Sequence, residues 1–352
     1  MQHAAARRII DRLMSGSGAG TALVAQAGAA RLATVYDCPA GLAESLLAAA
    51  LTAPEDLPGE WRGDGLQTRP PRSANALVAE LLPRILTRAA DTARAAAALA
   101  AIADLWEHAN EQERAGLRVR LLNGIAGHAP CSEAWLDPET LRQWSRDLPT
   151  LGGCGDDPVA SLAQLPHERN AAAAYHRLAR HCGFGFDPAA LARALAGVAA
   201  SLLETHHDPG VEVGRVLLGA AASARLAELA HPEQLAILLA QLAHQLWWSH
   251  HRADRAPVTH AWTATAPDLG QMVLERNKHG AIRAARAAAL NPPACWAALW
   301  TLSMQAATNH PHATLRLAPL LDAVVADGGL RPDLAAAVAA VLCDVTESVL
   351  IA

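Results

Sequence analysis

Ten of the sixteen histidines fall between His206 and His312, inside the most apolar part of an Ala/Leu-rich chain. Imidazole is the side chain that ordinarily changes charge between pH 5 and 8, so buried acid–base chemistry is expected in this region. Over 232–251, Leu235, Leu239, Leu242 and Leu246 form one helical stripe, and Gln241, His244, Trp248 and His251 form another on a different face. A helix covered on both sides is central to its fold. Its second stripe either faces a pocket or packs as hydrogen-bonded core histidine beside tryptophan, and the spacing leaves both open. Lys278, the only lysine, precedes His279 and Ile282-Arg283. An ammonium beside an imidazole can polarise a bound oxygen or carbonyl, although a solvated lysine is the plainer reading.

Glu204 and His207 have the Glu-x-x-His spacing that projects two metal ligands from one helical face. A carboxylate-bridged site needs a second such pair, which the chain lacks, so Glu204 and His207 stand only as weak metal candidates. A polar cluster at a helix end is the plainer reading. His206 and His207 differ by about 100° around a helix and cannot both reach one ion. Gly16, Gly18 and Gly20 have no preceding strand and no nearby lysine, so neither nucleotide-binding fingerprint is met and they read as a turn. There is no Gly-x-Ser-x-Gly elbow, no His-Glu-x-x-His and no calcium loop. His310-Pro311-His312 reads as the turn that opens a helix.

The elements that must position these groups are helices. The chain has 352 residues, 52% of them apolar, with two Phe, two Tyr and nine Trp. Alanine favours helix and lets helices approach closely, and tryptophan supplies bulk where gaps remain. Asp187-Pro188 sets a cap and first turn, after which Leu191, Leu195, Val198 and Leu202 recur at helical spacing as far as Asp208-Pro209-Gly210. The same pattern predicts helices near 2–13, 20–34, 39–52, 74–88, 90–109, 111–126, 138–147, 168–182, 211–229, 232–251, 267–290, 292–308, 311–326 and 332–350. Pro- and Gly-rich stretches at 54–72 and 149–166 read as surface loops or lids. No repeat of fixed period is found, so an all-α single domain spanning 1–352 is expected.

The net charge is −5 and the arginines are scattered among acids, which argues against a nucleic-acid partner. No apolar run reaches the roughly 18 to 20 residues of a membrane span; Leu334 to Cys343 is among the longest. Arg7 and Arg8 are followed by a short apolar stretch broken at Asp11-Arg12, so no secretory signal is read and a cytoplasmic address is expected. The six cysteines are dispersed without a Cys-x-x-Cys, which suits a reducing compartment.

Several stretches, in order, resemble the questin oxidase-like family of helical oxygenases. These are Met14-Ser15-Gly16-Ser17-Gly18, Leu121 to His128 (Leu-Leu-Asn-Gly-Ile-Ala-Gly-His), Trp144 through Gly152-Gly153 to Asp157-Pro158-Val159-Ala160-Ser161-Leu162, Glu204-Thr205-His206-His207, Val216 to Ala224, and Lys278-His279-Gly280-Ala281-Ile282-Arg283. The chain departs from the family where an early Asn-His is here Gly16-Ser17, a second histidine is Trp135, a helix histidine is Gly219, and His279 is displaced by one position. The resemblance implies Baeyer–Villiger-type or related oxygenation of an aromatic or polyketide-like small molecule in secondary metabolism, and the Ala-heavy, Arg-for-Lys composition fits a GC-rich bacterial genome. The resemblance also implies NADPH as reductant. The expected pocket takes its walls from 120–135, 204–220, 241–251 and 275–286. His128, His244 or His279 would act as base, Lys278 or Arg283 would stabilise charge on oxygen, and Trp135, Gly219, Trp248 and His251 would shape the substrate site. A non-catalytic helical protein that binds a ligand or partner is the alternative.

Overall fold

The computed structural model describes residues 3–15, 21–34, 69–88, 92–126, 157–182, 187–205, 211–252, 268–309, 314–326 and 331–347, with Leu46, Ala48 and Ala50. Helix boundaries are written by acid and amide side chains. Asp187 Oδ1 accepts from the amides of Ala189 and Ala190 at 2.9 and 3.0 Å, and Asn170 Oδ1 accepts from Ala173 at 2.8 Å. Asn110 and Glu113 form a reciprocal box: Glu113 N donates to Asn110 Oδ1 at 3.0 Å and Asn110 N donates to Glu113 Oε2 at 2.8 Å.

Among the described residues fifteen α-helices have assigned ranges, and no strand occurs. They are α1 (His3–Ser15), α2 (Thr21–Thr34), α3 (Ala74–Arg88), α4 (Thr92–Trp106), α5 (Glu111–Ala126), α6 (Pro158–Leu162), α7 (Ala171–Ala179), α8 (Pro188–Thr205), α9 (Val211–Leu226) and α10 (Pro232–Arg252). They continue with α11 (Leu269–Leu274), α12 (Lys278–Ala288), α13 (Pro292–Asn309), α14 (Thr314–Ala326) and α15 (Pro332–Glu347). A 3-10 turn, Leu165–His167, follows α6. The fold is all-α, and one continuous apolar core runs from Ala6 to Val345.

Two sequence expectations change. The helix predicted over 267–290 is two helices, because Arg276 takes a positive φ of 56°. Asn277 N then donates to Met272 O at 2.9 Å and Arg276 N to Val273 O at 3.0 Å, a Schellman closure of α11. Asn277 Oδ1 caps α12 through Gly280 N at 2.9 Å. The stretch read as a loop over 149–166 is helical where described, in α6 and the 3-10 turn, because Asp157 caps and Pro158 opens α6.

Alanine-rich helices close in until backbone limits them. A Cβ on Gly28 of α2 would stand 3.0 Å from the carbonyl oxygen of Ala318 in α14. On Gly219 of α9 it would stand 2.6 Å from Leu242 of α10 and 2.9 Å from the Cβ of Ala93 in α4. Where the α2–α14 pair faces the α4–α9 pair, four charges close a ring. Arg31 reaches Asp104 at 2.9 Å and Asp322 at 3.0 Å, while Arg225 pairs with Asp104 and lies 3.6 Å from Asp322. Alternating signs let the buried Asp322 and the half-buried Asp104 each see two guanidiniums, which offsets part of their desolvation.

Candidate functional site

A face of α8 is small at every turn. Ala190, Ala194, Gly197 and Ser201 recur at helical spacing with Arg193, Val198 and Leu202 beside them, and they form the floor of a cleft of about 650 Å³. Val159 of α6, with Ala163, Pro166 and His167 of the turn behind it, forms one wall. Arg331 and Asp333 at the start of α15 and His250 in the last turn of α10 complete the lining.

The imidazoles are held by a relay of contacts. Trp247 Nε1 donates to the carbonyl of Glu168 at 2.8 Å, and the Glu168 carboxylate is paired with Arg177 of α7. These tie the 3-10 turn to α10 and bring the rings of His167 and His250 to 4.8 Å, edge to face at 89°. His250 is buried, with 7% exposure, whereas His167 is exposed. His251, also exposed, donates through Nδ1 to Trp247 O at 2.9 Å, which fixes a proton on that nitrogen. Its ring lies 4.4 Å from Trp247 and 5.6 Å from His250, so one run of aromatic contacts joins the cleft to the end of α10. Across the cleft, Arg331 Nε lies 3.5 Å from Asp333 Oδ1. Arg193 has no carboxylate partner among the described residues.

The residues singled out from sequence that are described in full fall on three helices. His244, Trp248 and His251 share α10. His244 is buried with its ring 6.1 Å from Trp247, and Trp248 packs against the core. Lys278, His279 and Arg283 lie on α12, which packs along α15. Lys278 Nζ reaches both oxygens of Asp344, at 3.1 and 2.9 Å, and the two side chains are 13% and 5% exposed. Asp344 is eleven residues beyond Asp333, roughly 16 Å along the helix. Lys278 is thus a half-buried ion-pair partner remote from the cleft. Gly219 sits at the α9 crossing described above. His128, Trp135 and His207, and the side chain of Glu204, lie outside the described residues. Of the four segments expected to wall a pocket, the cleft takes His250 from 241–251 and no other described residue.

Neither Cys182 nor Cys295 is activated as a nucleophile: burial pushes Cys182 up to about 12 and Cys295 up to about 11. Among the described residues no three His, Cys, Asp or Glu side chains converge as a metal cage. No helix among them is long and apolar enough to cross a membrane. His167, Trp247 and His250 were not singled out from sequence. The adjacent Trp247-Trp248 and His250-His251 pairs marked the region without choosing a face. No protein-family model, curated protein or solved structure matches the chain.

Proposed function

We propose that this chain binds a flat, largely apolar small molecule carrying one acidic group in the cleft beside His250. The observation that supports it best is the α8 floor, where small side chains at successive turns leave about 650 Å³ open between apolar walls. That volume suits a drug-sized ligand, and a few polar groups around an apolar cleft are what orients one. Arg193, which has no carboxylate partner among the described residues, supplies a positive charge for the acidic group, and His250 a buried hydrogen-bonding edge. Titration with 1-anilinonaphthalene-8-sulfonate tests this. Saturable fluorescence enhancement at one site per chain, abolished by Ser201→Trp filling the cleft, is expected. Enhancement that survives Ser201→Trp would reject it.

A second reading, oxygenation of an aromatic or polyketide-like compound by a member of the questin oxidase-like family, draws on the His167–His250 pair. An imidazole in a mostly apolar cleft can take the proton of a bound phenol, raising the electron density of the ring. NADPH would supply reducing equivalents as a co-substrate; the sequence has no dinucleotide fingerprint, so no residue is assigned to it. Oxygen uptake with an anthraquinone and NADPH, lost in His250→Gln, would favour this reading over the binding protein. Saturable binding without oxygen uptake would favour the binder.

A further inference from the structure

A second concavity lies on another part of the molecule, between α11 and α13. It is an open groove of about 880 Å³ with Gly270, Leu274, Ala297, Thr301 and Leu302 among its lining. Leu274 is 74% exposed and Met304, on the same helix as Ala297, is 37% exposed. The 18 residues of α13 include no charged side chain. An uncharged helix beside a leucine that protrudes into water is costly to leave bare, and such patches on otherwise polar surfaces mark contact sites.

The charges at the groove select the occupant. Among the described residues, Asp268 and Glu275 line it and no cation does. One oxygen of each is engaged internally: Asp268 Oδ1 accepts from Gln271 N at 2.8 Å, and Glu275 Oε1 accepts from Gln271 Nε2 at 2.7 Å. The other oxygen of each carboxylate accepts nothing among the described residues. A second copy of this chain docked about a two-fold axis would set these carboxylates against their own kind, and an anionic membrane surface would be repelled. We propose that the α11–α13 groove docks an amphipathic helix of a partner protein, its apolar face on Leu274 and Ala297 and its basic flank on Asp268 and Glu275. Such a helix offers apolar anchors at i, i+3, i+4 and i+7 with lysine or arginine alongside.

The test uses the full chain and a fluorescein-labelled Leu/Lys amphipathic peptide of about four turns, with a Leu/Glu peptide of the same pattern as control. Polarisation is expected to show saturable binding of the Leu/Lys peptide only. Leu274→Ser should weaken it about tenfold and Glu275→Lys several-fold. Glu233→Lys, an exposed charge at the start of α10, should leave it unchanged. Both groove positions are exposed, and unchanged circular dichroism would establish that the variants fold. Equal binding of the Leu/Glu peptide, or insensitivity to Leu274→Ser and Glu275→Lys, would overturn the proposal. So would sedimentation showing self-association that Leu274→Ser removes.

Discussion

The rings of His250 and His167 meet edge to face at 4.8 Å, although they belong to elements far apart in sequence. Their encounter depends on Trp247, whose indole nitrogen holds the backbone of Glu168. Trp247→Phe keeps the bulk and loses that hydrogen bond. It should cost about 1 kcal/mol of stability and weaken ligand binding in the cleft more than it weakens the fold, measured by ligand titration beside thermal melts.

Lys278 is half-buried and Asp344 buried, so replacing the lysine takes from Asp344 a cation that touches both its oxygens. Lys278→Met is expected to destabilise by about 3–5 kcal/mol, and the double variant Lys278→Met/Asp344→Leu to recover much of that loss. Denaturant titrations of the two variants measure this. Recovery in the double variant would identify the lysine as structural.

Burial pushes the carboxyl of Asp104 from 3.8 up to about 6, against the pull of Arg31 and with the push of Asp322. Its folded pKa therefore lies above its unfolded one. Between those values the folded chain holds more protons, so stability falls as pH rises from about 4 to about 6 and is level above that. Because Asp104 is partly solvent-accessible, the loss should be about 1–2 kcal/mol. Asp104→Asn should flatten the profile across this window, as followed by denaturant midpoints at successive pH values.

Arg276 occupies a left-handed position that suits glycine, closing α11 with a side chain that pays about 1 kcal/mol for its conformation. Arg276→Gly should raise stability by about 0.5–1 kcal/mol, while Arg276→Ala should not. Conversely, Gly28→Ala meets the carbonyl of Ala318, which cannot rotate away, and should cost about 1–3 kcal/mol. Thermal melts of the three variants distinguish these outcomes.

Much of the helical fold was legible because Ala and Leu at helical spacing leave few alternatives and because Asp187-Pro188 marks the start of α8, whereas α7 begins after Asn170, inside the helix expected over 168–182. The break at Arg276 was hidden, since a left-handed closure usually announces itself with glycine and here does not. The cleft was hidden for a different reason. Ala190, Ala194, Gly197 and Ser201 do fall on one face, but in a chain this rich in alanine small residues line many faces, and only tertiary packing shows which one is left uncovered. The charged ring of Arg31, Asp104, Arg225 and Asp322 carries no local signal at all, because its members come from four separate helices.

The proposed function requires a ligand to sit in the cleft beside His250. Photolabelling with benzophenone-4-carboxylate, an apolar aromatic acid, followed by peptide mass spectrometry tests this most directly. Label confined to residues 159–167, 190–202 and the end of α10, and competed by 2-naphthoate, is the predicted result. Label spread over the surface, or concentrated between α11 and α13 with the α8 face untouched, would contradict it.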